Sequence, residues 1–250
     1  MNRVDELKKY FAEKLQSMNE LNPYLKYSSV VSVELDDGVV YDLMVVLPDM
    51  MFEGNFKTRF GECFVVNDQE HCPPVFTRFK SQRWLISDLA RRLPIALWIF
   101  GKSIVIQDPN GTFENIVHEH NLVFQKNVKN ILRRKYIEFR SDRHNLRRTV
   151  YRRDDLATNI LKGNVVKIAI EILMLSYGKP YPYKKWLSFE ARKFAEGPKI
   201  LEISSRFLGE MDPVKIIDQS DELVGVIVEL FKDDPDLPPT FLSEWWLNLS

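Results

Sequence analysis

Cysteine is scarce in this sequence, which holds only Cys63 and Cys72 among its 250 residues. Two thiols are too few for a disulfide scaffold or a four-ligand zinc site. A hairpin formed by residues 61–66 and 74–79, turning at residues 67–68, would place the two cysteines opposite each other, within the distance that a disulfide spans. The alternative is a pair of reduced thiols, which the cytosol favours. The sequence leaves the redox state of both residues open.

Long apolar runs are also absent. The longest one, residues 165–177, is interrupted by Lys167 and Glu171, and it falls short of the ~18 apolar residues that span a bilayer. The start of the sequence carries Lys8 and Lys9 on an amphipathic pattern, which indicates a helix rather than the apolar stretch of a signal peptide. We therefore expect a cytoplasmic protein with no membrane partner.

The sequence has no excess of charge of either sign. Lys plus Arg and Asp plus Glu each number 35, which gives a formal net charge of zero. A general field that would attract nucleic acid is therefore missing. Any anion-binding site has to come from local clustering of cations.

The hydrophobic pattern divides the chain into a mixed part and a helical part. Two apolar runs, 30–33 and 39–47, flank Asp37-Gly38, which is typical of a two-residue hairpin turn. We predict two further strands within 60–79, a strand over 104–107, helices over 4–18 and 81–93, and a loop over 52–59. Beyond residue 110 the period is helical, with helices predicted over 112–123, 128–136, 142–161, 164–177, 189–194, 200–208 and 220–231.

This order of elements predicts an α+β domain followed by an all-α helical-bundle domain. We expect the first domain to cover residues 1–127 and the second to cover residues 128–232. Residues 233–250 combine prolines and aspartates with a tryptophan pair, which indicates a linker and an aromatic tail.

Several strings in the middle of the chain are distinctive in this order. They are RLPIALW from Arg92, IVIQDPNG from Ile104, HNLRRTVYRRDDL from His144 and GKPYPYKKWL from Gly178. Together, residues 90–187 resemble nucleotidyltransferase-like proteins, which carry a small αβ catalytic domain with a mixed sheet ahead of a helical domain. Residues 133–186 are similar to that helical domain. The resemblance implies a nucleotidyltransferase-like fold for the whole chain.

The resemblance also implies a catalytic pattern, which this sequence matches only in part. Such proteins use a Gly-Ser before a helix and an acid–apolar–acid strand, whose carboxylates hold Mg²⁺ on the triphosphate. Asp42 stands in the place of the first acid, and it is the expected metal ligand if the protein is active. Met44 stands where the second acid belongs, and a thioether is a poor Mg²⁺ ligand. No Gly-Ser lies upstream, and residues 75–80, the expected third strand, contain no acid.

Glu34 and Asp36 are the candidates for a rearranged set of catalytic acids together with Asp42. A two-residue turn at Asp37-Gly38 sets Val33 opposite Asp42, so that Asp42 lies on the other face from Glu34 and Asp36. A slip of one residue would bring all three carboxylates to one face. Mg²⁺ is the expected cofactor if the protein is active, and otherwise we expect none.

Arginines are dense between residues 133 and 153, where nine of 21 residues are Lys or Arg. Pairs such as Arg143 and Arg147 share a helix face, where like charges repel unless anions compensate them. The planar guanidinium binds two phosphate oxygens at once. We predict phosphate or nucleic-acid binding by Arg143, Arg147, Arg148, Arg152 and Arg153, with Lys179 and Lys185 as additional candidates. The alternative is a solvated helix whose arginines pair with acids of the C-terminal third.

These observations favour a pseudoenzyme: a nucleotidyltransferase-fold protein with lost or weakened metal-dependent transfer. We expect it to bind a nucleotide, RNA or another phosphate-bearing ligand in the cleft between its domains. An active Mg²⁺-dependent nucleotidyltransferase and a non-catalytic protein-interaction module remain the alternatives. The sequence also leaves a homo-oligomer open.

Overall fold

The structure is a computed structural model, and it describes residues 3–33, 40–232 and 234–248. The chain divides into two compact units, Met1–Val123 and Phe124–Ser250. The first unit contains the β-sheet, and the second consists of helices and their connections. Among the described residues, no helix is long and apolar enough to cross a membrane.

A mixed five-stranded sheet in the order β3-β4-β2-β1-β5 organises the first unit. Its strands are β1 (Ser29–Ser32), β2 (Tyr41–Leu47), β3 (Val65–Asp68), β4 (Val75–Ser81) and β5 (Ile104–Gln107). β2 pairs with β4 in parallel, and the other neighbours are antiparallel. The predicted strand over 104–107 is confirmed.

The shorter helices of the first unit lie before and between these strands in the chain. They are α1 (Arg3–Tyr10), which continues as a π-helix (Phe11–Leu15), α2 (Asn22–Leu25), α3 (Asp49–Met51), which continues as a π-helix (Phe52–Phe56), α4 (Lys57–Phe60), α5 (Gln82–Arg91) and α6 (Leu93–Phe100). Alternate residues of β2, from Tyr41 to Leu47, enter an apolar core that also holds Leu7 and Phe56. Such alternation follows from the two-residue period of a strand.

Two local predictions for the first unit are wrong. Residues 52–59 are helical rather than a loop, because Phe52, Phe56 and Phe60 recur every four residues and pack their rings together in the core. The hairpin of β3 and β4 does not turn at residues 67–68, since Asp68 still pairs with Val75. The two cysteines are therefore not opposite each other, and both are free, exposed thiols.

The second unit contains most of one long helix and the whole of a second. Helix α7 (Thr112–Arg152) is continuous over 41 residues, and α8 (Asp155–Ser176) follows after a short break. The predicted helix over 142–161 is wrong, because the chain turns at Arg153-Asp154. The helices predicted over 112–123 and 128–136 are parts of one helix. Further helices are α9 (Leu187–Ala191), α10 (Gly197–Gly209), α11 (Pro213–Glu229) and α12 (Pro239–Ser243), with 3₁₀ turns at Lys184–Trp186 and Trp245–Asn248.

The last described residues pack into the core of the second unit. Leu237, Phe241, Leu242 and Trp245 are buried, whereas Trp246 is half exposed. Tyr136 of α7 donates a hydrogen bond from its hydroxyl to the carbonyl oxygen of Leu242, at 2.8 Å. The described part of the tail thus contributes apolar surface to the bundle.

Candidate functional site

Asp42 lies on the face of β2 that points away from the apolar core around α1. Its neighbours Tyr41 and Leu43 enter that core, so that Asp42 and Met44 face the other way. The side chain of Asp42 is 23% exposed, and its Oδ2 accepts a hydrogen bond from Nη2 of Arg78 on β4. The one described carboxylate of the acid strand is therefore neutralised by a guanidinium.

Burial and the guanidinium act on Asp42 in opposite directions. Burial raises the pKa of the Asp42 carboxyl above its usual value, and the positive charge of Arg78 offsets part of that rise. Arg78 thus stabilises the ionised carboxylate, which partial burial destabilises. A bound divalent cation would likewise lower the pKa of a catalytic carboxylate.

Met44 occupies the position of the second acid and is 5% exposed. In the parallel pairing of β2 and β4, Met44 lies beside Arg78. Among the described residues, the local set is thus one carboxylate, one thioether and one guanidinium, and this set does not fit Mg²⁺, a cation that requires several oxygen ligands. Within the described parts of the chain, no group of three or more His, Cys, Asp or Glu residues could hold a metal ion.

Glu34 and Asp36 lie outside the described residues, together with the rest of residues 34–39. The predicted register is confirmed up to the edge of that segment. Ser32 pairs with Leu43, and the amide of Val33 donates to the carbonyl oxygen of Asp42 at 2.8 Å. The proposed roles of Glu34 and Asp36 stay predictions.

Arg143 and Arg147 of α7 share a single carboxylate. Arg143 is 12% exposed and forms an ion pair with Asp221 of α11, while Nη2 of Arg147 lies 4.0 Å from the same carboxylate. Burial, together with the charges of Arg147 and Arg140, lowers the pKa of Arg143 to about 10. Asp221 therefore compensates the charge of Arg143, whereas the side chain of Arg147 is 48% exposed and remains accessible to an external anion.

Arg148, Arg152 and Arg153 lie exposed around the break between α7 and α8, and we call them the turn arginines. Within the described ranges, no carboxylate lies within ion-pair distance of any of the three. Arg153 has a φ of 55°, in the left-handed region that favours glycine.

The turn that carries these arginines is defined by hydrogen bonds at both helix ends. The amide of Arg153 donates to Val150 and that of Asp154 to Thr149, which closes α7. The carboxylate of Asp154 then accepts from the amide of Ala157 at 3.0 Å and caps the start of α8. The turn arginines thus lie on a defined backbone.

Two further cations of the dense segment, Lys135 and Arg133, are engaged within the protein. Lys135 lies between Glu138 and the buried Glu171, with N–O distances of 2.8 and 2.9 Å. Although burial alone lowers the pKa of Lys135, these two carboxylates raise it above its ordinary value. Arg133 donates to the carbonyl oxygen of Asp236 at 3.2 Å.

Lys179 and Lys185 lie on the connector after α8, and both are exposed. The ammonium of Lys185 lies 5.7 Å from the ring centre of Tyr183 and 5.4 Å from that of Trp186. The backbone amide of Lys179 donates to the carbonyl oxygen of Met174 at 3.0 Å. Their predicted contacts with phosphate stay predictions.

Arg78 is the residue that sequence reasoning missed. The absence of an acid from residues 75–80 is visible in the sequence, but the partner of Asp42 depends on the pairing of β2 with β4. One signal was present, since Phe76, Arg78 and Lys80 alternate with Val75, Thr77 and Phe79. That alternation places Arg78 on the face of the sheet that Asp42 shares.

Comparisons with known proteins agree with this architecture. Residues 95–187, which are 93 of the 250 residues, match a family model described as a domain of unknown function, DUF4037. The matched segment coincides with the part of the sequence that carries the resemblance described above. Among curated proteins, no relative matches the chain.

The fold is similar to the crystal structure of a nucleotidyltransferase-like protein from Exiguobacterium sibiricum. The TM-score is 0.52, and the similarity covers 96% of this chain and 78% of that chain at 14% sequence identity. At this identity the likeness concerns the fold alone. It confirms the predicted nucleotidyltransferase-like α+β fold with a helical C-terminal part.

Proposed function

We propose that this nucleotidyltransferase-fold protein has lost or weakened metal-dependent transfer and binds a phosphate-bearing ligand, a nucleotide or RNA, through the turn arginines. The observation that carries the proposal is the exposure of three guanidinium groups without a carboxylate partner among the described residues. Guanidinium groups bind phosphate through paired N–H donors. A chain with zero net charge can still bind an anion through such a local cluster.

The backbone at Arg153 supports a functional reason for the cluster. A non-glycine residue in the left-handed region costs about 1 kcal/mol, and glycine would remove that cost. Residues that oppose a local preference of the backbone are enriched at functional sites. Phosphate binding gives a reason to keep arginine at this position.

The environment of Asp42 supports the loss or weakening of transfer. Its carboxylate binds Arg78, and the adjacent position on the same face is Met44 rather than an acid. Two-metal transfer requires carboxylates free to hold the metal ions. An active enzyme would have to release Asp42 from Arg78 and recruit acids from residues 34–39.

Binding to a short, labelled single-stranded RNA and to a panel of nucleoside triphosphates tests the proposal. Replacing all three turn arginines with glutamine should abolish most binding of whichever ligand is bound. For RNA, the slope of log affinity against log salt should fall by about 2, because each phosphate contact on a single strand contributes about 0.7. Fluorescence anisotropy at several salt concentrations gives both quantities.

A matched variant controls for the general loss of positive charge. Lys126, Arg134 and Lys199 are exposed cations of the same unit, and their replacement with glutamine removes the same charge elsewhere. This control should keep the affinity and the salt slope within experimental error. Equal losses in both variants, or no measurable binding by the unmodified protein, would overturn the proposed ligand.

Nucleotidyl transfer is tested separately, with radiolabelled nucleoside triphosphates in the presence of Mg²⁺. We expect no labelling of RNA or protein above background. Mg²⁺-dependent labelling that disappears in Asp42→Ala would contradict the loss of transfer and favour the active alternative.

A further inference from the structure

A surface cavity of about 530 Å³ lies between α7, the end of α11 and α12. Pockets of this size accommodate small molecules. Its walls are mainly apolar, and the charged side chains among its described lining residues are Arg140, Glu229 and Lys232. The side chains that matter for its chemistry are Arg140, Val228, Phe231, Pro239, Leu242 and Ser243.

Arg140 lacks a charged partner in this cavity. Its Nη1 donates to the hydroxyl of Tyr136 at 2.6 Å and to the carbonyl oxygen of Leu242 at 3.1 Å, and both acceptors are neutral. Its Nε is buried without a hydrogen-bond acceptor. No carboxylate of the described residues lies within ion-pair distance of this guanidinium, and its Nη2 makes no hydrogen bond to them.

The surroundings of Arg140 leave an excess of positive charge. Arg143 and Arg147, one and two helical turns further along α7, share the carboxylate of Asp221 between them. The pKa of Arg143 is lowered first by burial and then by the positive charges of Arg147 and Arg140. The three guanidinium groups therefore repel one another. Lys232 and Glu229, which also line the cavity, form an ion pair with each other at 3.1 Å.

We propose that this cavity binds a medium-chain carboxylate, with its anionic head on Arg140 and its alkyl chain on Val228, Phe231, Pro239 and Leu242. A single unpaired guanidinium matches one negative charge, and carboxylate and guanidinium form paired hydrogen bonds. A polyphosphate would need further cations, and a nucleobase would need polar groups that read its edge. The hydroxyl of Ser243 already donates to Pro239, Glu229 and Lys232 pair with each other, and the other lining residues offer apolar surface.

Calorimetry with a series of straight-chain carboxylates, from butanoate to decanoate, tests this proposal. Affinity should rise by up to about fourfold per added methylene until the cavity is filled, because each buried methylene contributes a nearly constant free energy. Decylamine and 1-decanol have the same chain without the anion, and they should bind at least about tenfold more weakly than decanoate.

Two variants separate the anion site from the apolar walls. Arg140→Met should weaken decanoate binding roughly 10- to 100-fold, since it removes a charged hydrogen-bond donor. Val228→Trp fills the cavity and retains Arg140, so it should also abolish binding. Arg134→Met, an exposed arginine of the same helix, is the matched control and should leave the affinity unchanged.

Circular dichroism establishes that each variant is folded, and Val228→Trp decides the outcome if Arg140→Met unfolds. Equal binding of decanol and decanoate would overturn the role of Arg140. Inorganic phosphate or adenosine monophosphate binding more tightly than decanoate, in a way that Arg140→Met abolishes, would replace the carboxylate with a phosphate ligand. No heat of binding for any carboxylate would overturn the site altogether.

Discussion

Arg78 and Asp42 form a pair in which one partner is mostly buried and the other mostly exposed. The side chain of Asp42 is 23% exposed and that of Arg78 is 55% exposed. Burial raises the pKa of Asp42, so its ionisation reduces stability as the pH rises from 3.8 through its pKa in the folded protein. The positive charge of Arg78 offsets part of this loss, and it does so only while Asp42 is ionised.

Arg78→Met should therefore lower the free energy of unfolding at neutral pH by about 0.5–1 kcal/mol, a modest value because Arg78 is exposed to solvent. The difference from the unmodified protein should disappear as the pH falls through the pKa of Asp42, where the carboxylate becomes neutral. Urea unfolding across this pH range measures both effects.

A matched control for this pair is Arg83→Met. Arg83 is 79% exposed and lies 4.0 Å from Asp49, so its replacement should have almost no effect. A loss in Arg78→Met that persists at acidic pH would show that Arg78 contributes through packing and not through its charge.

At the scale of elements, the break between α7 and α8 is the feature that patterns of hydrophobicity do not predict. No glycine or proline interrupts residues 142–161, and such residues are the usual signals for a helix end. The break depends on Arg153 in a left-handed conformation and on the cap formed by Asp154. Asp154-Asp155 was the available signal, because acidic residues favour the first turn of a helix.

Arg153→Gly should raise the free energy of unfolding by about 1 kcal/mol, because glycine adopts a positive φ without strain. The same variant should bind the phosphate-bearing ligand more weakly, since it loses one of the turn arginines. Chemical unfolding should show the gain in stability, and the anisotropy assay should show the loss of affinity.

Arg148→Gly provides the contrast within the same cluster. Arg148 lies inside α7, where glycine should lower stability by about 0.5–1 kcal/mol. If both glycine variants destabilise the protein, the left-handed conformation at Arg153 is not a source of strain.

Elements with a regular pattern were predictable from the sequence, and elements defined by distant contacts were not. The alternation around Asp37-Gly38 predicted the register that pairs Val33 with Asp42, because a two-residue turn leaves one choice of partners. The helix over 52–60 was missed because its glycine and charged residues obscured the four-residue spacing of its phenylalanines. The ion pair of Arg78 with Asp42 could not be predicted, since it requires β4 to lie parallel beside β2.

At the scale of the whole molecule, the described residues 237–245 contribute several buried side chains to the core of the second unit. Trp245 is 7% exposed, and its ring lies 5.8 Å from the guanidinium carbon of Arg140. Trp246, the next residue, is 52% exposed. The two tryptophans therefore provide a direct comparison of a buried and an exposed ring in the same segment.

Trp245→Ala should lower the free energy of unfolding by about 3 kcal/mol, as expected for the removal of a large buried side chain. Trp246→Ala should change it by less than about 0.5 kcal/mol, as is usual for surface positions. Thermal and urea unfolding of both variants measure the difference. Similar effects from the two substitutions would contradict the burial of the tail.

The pairing of Asp42 with Arg78 also determines how this part of the protein responds to its surroundings. A metal ion can be removed by a chelator, exchanged for another metal or withheld when the cell is starved of it. A guanidinium on the same chain is present at a fixed stoichiometry from the moment of synthesis. The negative charge of Asp42 is therefore compensated by a residue of the same chain, and this compensation does not depend on the supply of metal.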